Sequence, residues 1–188
     1  VANSSGHKRE LKSLGKAATA EANEQLMHLK TALAAERIRP WLVDRVCENM
    51  RAGKKTLLFT GLREEVERIR TQVAQRLGGK VEEGRGFPAI VTTKGTIWAT
   101  YGESHDAKER NALAREYNSH EGAAFLVGTG DVIGESLNLQ NTDELIHGQL
   151  PWSPVQVIQR TGRVKSRLGR TKPVTIVFPV ALGTIAER

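Results

Sequence analysis

The chain has 188 residues, about the length of one domain, and with 39% hydrophobic and 26% charged residues its composition is that of a folded globular protein. No run approaches the ~18 consecutive apolar residues that a membrane span needs. The one cysteine, Cys47, can close no internal disulfide, so transmembrane, disordered and disulfide-stapled classes are all excluded. The 28 Lys+Arg against 21 Asp+Glu leave a net charge of +7, which points to nucleic acid, phosphate ligands or another anionic partner. Most of that charge is local: Arg160, Arg163, Lys165, Arg167, Arg170 and Lys172 fall between Val155 and Pro173 with no acid among them. The first residues carry no apolar run, so they are no secretory signal, and an intracellular place, cytoplasmic or nuclear, is expected. The chain begins with Val1 and not methionine, which suggests a fragment.

In chain order, residues up to about Gly15 are small, polar and unpatterned and read as a frayed or linker segment. Leu26, Leu29 and Leu33 have helical spacing, and Pro40 stands where a first-turn proline would open a second helix, with Gly53 as its stop. Residues 1–53 are therefore read as a linker and helices leading into a domain over 54–188. Lys54 to Thr60 reads as a strand buried on both faces, and Arg63 to Leu77 as an amphipathic helix with Val66, Ile69, Val73 and Leu77 on one stripe. Between Lys80 and Gly95 the pattern is weak and reads as an insertion, either hairpin or loop. Thr96 to Tyr101 is the next strand; Ser104 caps a charged helix through about Tyr117; Ala123 to Val127 is a third strand. Glu144 to Gln149 and Val174 to Val180 are two more, with a helix from Ser153 to about Leu168 between them, opened by Pro154.

Strands alternating with helices predict an α/β fold with a mostly parallel sheet covered on both faces. Ligands of such sheets sit beyond the carboxyl ends of the strands. That rim would carry Thr60-Gly61, Thr100-Tyr101-Gly102, Gly128-Thr129-Gly130-Asp131 and Gln149-Leu150-Pro151-Trp152. A phosphate-binding P-loop is absent at Gly53-Lys54, because Glu48 stands where its first glycine belongs and Lys55 where Ser or Thr belongs. The five histidines share no short spacing that would make a metal site, so none is expected. Trp98 reads as core, Cys47 as a small buried hydrophobe, and Asp131 as a helix cap. On a helix, Gln159, Arg163 and Arg167 would share one stripe, with Arg160 and Gly162 to its sides. Guanidinium groups placed this way suit stabilisation of charge on a transferring phosphoryl group, although a solvated basic face has the same pattern.

Taken together, Leu57-Leu58-Phe59-Thr60, Gly102-Glu103 with the helix around Glu109-Arg110, Val127 to Leu139, Leu150-Pro151-Trp152-Ser153-Pro154 and Gln159-Arg160-Thr161-Gly162-Arg163 resemble motifs IV, V and VI of the second RecA-like lobe of superfamily-two helicases. The likeness is greatest to Swi/Snf-type DNA translocases, through Ser136-Leu137-Asn138-Leu139, the Trp152-Ser153-Pro154 turn and the closing Gly183-Thr184-Ile185-Ala186-Glu187-Arg188. Three departures stand out. The family's second motif VI arginine falls on Ser166, so the second finger is either Arg167 or absent. Motif V has Ser136 for glycine, and Asp131 stands where many relatives carry arginine. Gly78 to Gly95 has no counterpart.

The resemblance implies a RecA-like three-layer sandwich preceded by N-terminal helices. It implies ATP and Mg²⁺ in a complete two-lobe enzyme, neither held by this lobe alone, and a partner lobe carrying the P-loop. By the same resemblance Arg163 and Arg167 reach the γ-phosphate, while Gln159, Gly134 and Glu135 border the nucleotide. Thr60, Gly61, Gly102 and Thr129 contact the backbone of DNA, duplex and without sequence preference. Alternatives are a strand-separating DNA or RNA helicase lobe, or a non-enzymatic basic module that binds nucleic acid.

Overall fold

The computed structural model describes residues 4–82, 89–101, 106–130, 137–151, 153–165 and 172–182. The elements are α1 (Ser4–Arg51), β1 (Lys55–Thr60), α2 (Arg63–Arg76), β2 (Lys80–Glu82), β3 (Ala89–Thr92), β4 (Gly95–Thr100), α3 (Ala107–Ser119), β5 (Ala124–Thr129), β6 (Glu144–His147), α4 (Pro154–Gly162) and β7 (Thr175–Val177). They form one seven-stranded sheet in the order β2-β3-β4-β5-β1-β6-β7. From β4 to β7 every pairing is parallel, and β2, β3 and β4 pair antiparallel at one edge. The weak segment after Gly79 is thus edge strand: β2 and β3 extend the sheet, and residues 83–88 lie outside the described residues.

The central strands are buried on both faces because their side chains alternate between two cores. Leu58, Val127 and Ile146 join α1 and α2 on one side. Leu57, Phe59, Leu126 and Leu145 join α3, Leu139 and Val164 on the other. Three layers result, the RecA-like sandwich.

The predicted stripe of α2 is correct, with Val66, Ile69, Val73 and Leu77 all buried. Gly53 and Gly78 follow α1 and α2 at φ of 75° and 65°, a conformation that side chains with a Cβ resist. Two expectations at the N-terminus are overturned. There is one helix, not two, with Pro40 inside it, and it also covers the segment read as frayed. An interior proline removes a backbone hydrogen bond at a cost of ~3 kcal/mol. Burial of Leu42, Val43, Val46, Cys47 and Met50 just beyond it offsets that cost, and the Ala-, Leu- and Glu-rich run before it favours helix. Arg39 pairs with Glu65, and Asp44 with Arg76, fixing α1 on α2. The cap of α3 is Asp106, not Ser104: its carboxylate accepts from the Glu109 amide at 2.8 Å while the Glu109 carboxylate accepts from the Asp106 amide at 2.7 Å.

Candidate functional site

The rim at the carboxyl ends of the parallel strands forms as expected. Thr60 is aligned with Thr129 across β1 and β5, Thr100 with Gly128 across β4 and β5, and Phe59 with His147 across β1 and β6. Gly61 is exposed and Thr129 half-buried, whereas Thr60 is only 4% exposed and ends its strand more than it offers a hydroxyl. A methyl group on Gly61 would collide with the side-chain amide of Gln149, so Gln149 lies directly over this glycine. The Arg63 guanidinium sits 4.4 Å from the centre of the Tyr101 ring at the same rim. Gly102, Gly134 and Glu135 lie outside the described residues, as do Asp131, Ser136, Trp152 and Arg167.

The second part of the site is α4 and the loop that faces it. Pro154 occupies the first turn, where its missing N–H removes no helical bond. The helix stops at Gly162, short of the expected Leu168, and Arg163 is its C-cap with φ −71° and ψ −28°. Val164 then turns inward and is fully buried. Of the helical stripe expected for Gln159, Arg163 and Arg167, the first lies on α4, the second caps it, and Arg167 lies outside the described residues.

Leu139 donates its amide to the Arg163 carbonyl at 3.0 Å, bringing the end of the Val127–Leu139 segment against α4. The loop is held from below as well. Asn118 donates to the Asn138 carbonyl at 2.7 Å, Thr142 to the Leu139 carbonyl at 2.9 Å, and the Tyr117 and Thr142 hydroxyls lie 3.2 Å apart. Between loop and helix opens a cleft of about 490 Å³ lined by Asn138, Gln140, Ile158, Gln159, Gly162, Arg163 and Lys165. Gln159 and Arg163 thus meet where an amide and a guanidinium can bind an anion, with Lys165 adding a second cation.

Sequence reasoning assigned no role to Asn138, Gln140 or Lys165. Asn138 stands in a quoted motif, but only the fold brings that loop to α4. The donors in the cleft fit the phosphates of a nucleotide. Among the described residues no group of three His, Cys, Asp or Glu side chains could hold a metal ion. Among the same residues no helix is long and apolar enough to cross a membrane.

Comparison with known proteins agrees with this fold. The family model described as helicase conserved C-terminal domain matches residues 40–167. The chain is 24% identical over 145 residues to Zorya protein ZorD of Escherichia coli O139:H28, and 26% identical over 144 residues to RNA polymerase-associated protein RapA of Vibrio parahaemolyticus. Each alignment covers 77% of this chain but 12% and 13% of those proteins, so the chain spans about an eighth of the curated relatives it matches. The crystal structure of the C-terminal part of the Fun30 ATPase domain superposes with a TM-score of 0.55 at 19% identity, over 71% of this chain and 37% of that one. The chain belongs to the helicase conserved C-terminal domain family, and its fold is the second, RecA-like lobe of superfamily-two helicases.

Proposed function

We propose that this chain is the second motor lobe of an ATP-dependent, Swi/Snf-type DNA translocase, and that it is inactive without a lobe carrying the P-loop. The observation that carries the reading is the cleft in which Gln159 and Arg163 of α4 face Asn138 and Gln140, beside a strand-end rim bearing Gly61 and Thr129. ATP bound between two lobes supplies the phosphoryl group whose hydrolysis drives the motor. Arg163 offers a fixed positive charge to the γ-phosphate oxygens, a role worth ~10³–10⁵ in rate, and Gln159 donates or accepts beside it. Arg167, Gly134 and Glu135 complete that side of the cleft in this reading. The partner lobe provides the phosphate cradle and the acidic groups for Mg²⁺.

The surface of α4 supports a missing partner. Val155 and Ile158 on it are 59% and 70% exposed, Leu150 just before it is 41% exposed, and none of the helix is fully buried. We place the start of the lobe near Pro40, because Leu42 to Met50 pack in its core. Gly61, Thr129 and Gly102 meet the backbone of duplex DNA, with Thr60 setting the strand end between them, so affinity comes from phosphate contacts and not from base edges. An intracellular place follows from that partner.

The test has two arms. The chain alone should show no DNA-stimulated ATP hydrolysis, and its DNA binding should weaken with a log–log salt slope of roughly −0.9 per phosphate contacted, equally for unrelated duplex sequences. Addition of the P-loop lobe should restore DNA-stimulated hydrolysis. Turnover by the chain alone that is lost in Arg163→Ala, or binding that survives high salt, would overturn the reading.

A further inference from the structure

Arg160 is the neighbour of Gln159 on α4, yet its side chain turns away from the cleft. Its guanidinium lies where a methyl group on Gly130 would be, and its central carbon is 5.3 Å from the centre of the Phe59 ring. Gly130 directly follows Thr129 at the end of β5. The φ of Gly130 is not in the left-handed region, so what alanine would meet there is chiefly Arg160. Behind Phe59 the rings continue: His147 stacks on it at 5.7 Å and Phe178 stacks on His147 at 4.7 Å and 9°. Phe59 and His147 are fully buried, and neither His147 ring nitrogen has a hydrogen-bond partner among the described residues.

The two buried rings, Phe59 and His147, back the guanidinium on its inner side, while Phe178 at the far end is partly exposed. A displacement of the backbone at Thr129–Gly130 therefore meets the Arg160 guanidinium first, and through it α4. The helix is poorly placed to resist, since it buries none of its own residues. Gln159 and Arg163 flank Arg160 on that same helix.

We propose that Arg160 is a positioning residue that couples the β5 rim at Thr129–Gly130 to the placement of Gln159 and Arg163 in the cleft. The inference rests on the function proposed above, with Thr129 on the DNA track and Arg163 at the phosphate. Planarity matters to it: a flat guanidinium fits between glycine backbone and ring face, whereas a lysine ammonium on a flexible stem does not.

The experiment measures ATP hydrolysis with and without saturating duplex DNA in the whole protein, both lobes present. Wild type is compared with Arg160→Ala, Arg160→Lys, Gly130→Ala and the Gly130→Ala/Arg160→Ala double variant. The ratio of stimulated to unstimulated rate should fall about tenfold in each single variant, within the usual range of coupling between sites. The double variant should be no worse than either single one, because both remove the same seat. The unstimulated rate should fall less than the stimulated rate in each single variant. An unchanged ratio in Arg160→Ala, additive losses in the double variant, full rescue by lysine, or an equal fall of both rates would overturn the coupling. Absence of DNA stimulation in wild type would instead overturn the functional reading beneath it. Gly130→Ala keeps the arginine, so a folding defect of Arg160→Ala cannot hide the answer.

Discussion

Glu144 is 1% exposed and bears a charge, so its partners must compensate a large desolvation cost. Arg45 donates to it from Nε at 2.9 Å and Nη2 at 2.6 Å, and Asn49 donates at 2.8 Å while also donating to Thr56 at 3.1 Å. This cluster joins α1 to β1 and β6. Glu144→Ala should lower unfolding free energy by about 3 kcal/mol in urea titration, and a loss below about 1 kcal/mol would show that the pair adds little. His147 has the opposite problem. Burial, helped by the Arg160 charge, lowers its pKa to about 4 from the ordinary 6.5. The unfolded chain then binds a proton that the folded chain refuses, so stability is complete above pH 6.5 and falls as pH drops from 6.5 toward 4. At about 1.4 kcal/mol per pH unit the total is at most about 3.5 kcal/mol. His147→Phe should flatten that window in a pH series of unfolding midpoints; an unchanged slope would assign it to other groups. Residue types of this kind were only partly legible: Trp98 reads correctly as core, while the burial of Thr60 and the inward turn of Arg160 depend on neighbours distant in sequence.

At the scale of elements, periodicity carried α2 and the central strands, because a buried face imposes its own repeat. It was weakest where tertiary contacts overrule local preference. Pro40 reads as a helix start, yet the core beneath Leu42 to Met50 and the ion pairs to α2 keep the helix continuous. The edge strands β2 and β3 are short, and their antiparallel pairing is set by β4 more than by their own composition. Ser104 and Asp106 are both good caps by type; the one with Glu three residues later won, and for a stated reason, the reciprocal pair of bonds. Asp106→Ala should therefore cost about 1 kcal/mol in thermal or urea unfolding, with no effect on the cleft. A neutral result would mean that solvent replaces the box. The end of α4 at Gly162 has the largest consequence for the site, since Arg163 then meets the cleft from the helix C-cap.

At the scale of the molecule, the proposed function gives this lobe half of a nucleotide site and half of a track. The juxtapositions were legible in the motifs, since Gln159 and Arg163 line one cleft and Gly61 and Thr129 share one rim. The link between the halves was not legible: it runs through Gly130, Arg160 and Phe59, on three different elements whose approach only folding creates. The most direct test of the whole account is the turnover of Arg163→Ala in the presence of the P-loop lobe and DNA. Hydrolysis should fall by at least about 10³ while DNA affinity stays within about twofold, because the lost charge acts on the transition state and not on the track. Lys172→Ala, on the exposed basic surface, should leave both unchanged, and Arg167→Ala should follow Arg163→Ala only if a second finger exists. Near-normal turnover in Arg163→Ala, or a loss of turnover explained by a matching loss of DNA binding, would contradict the assignment of this cleft to the phosphoryl group.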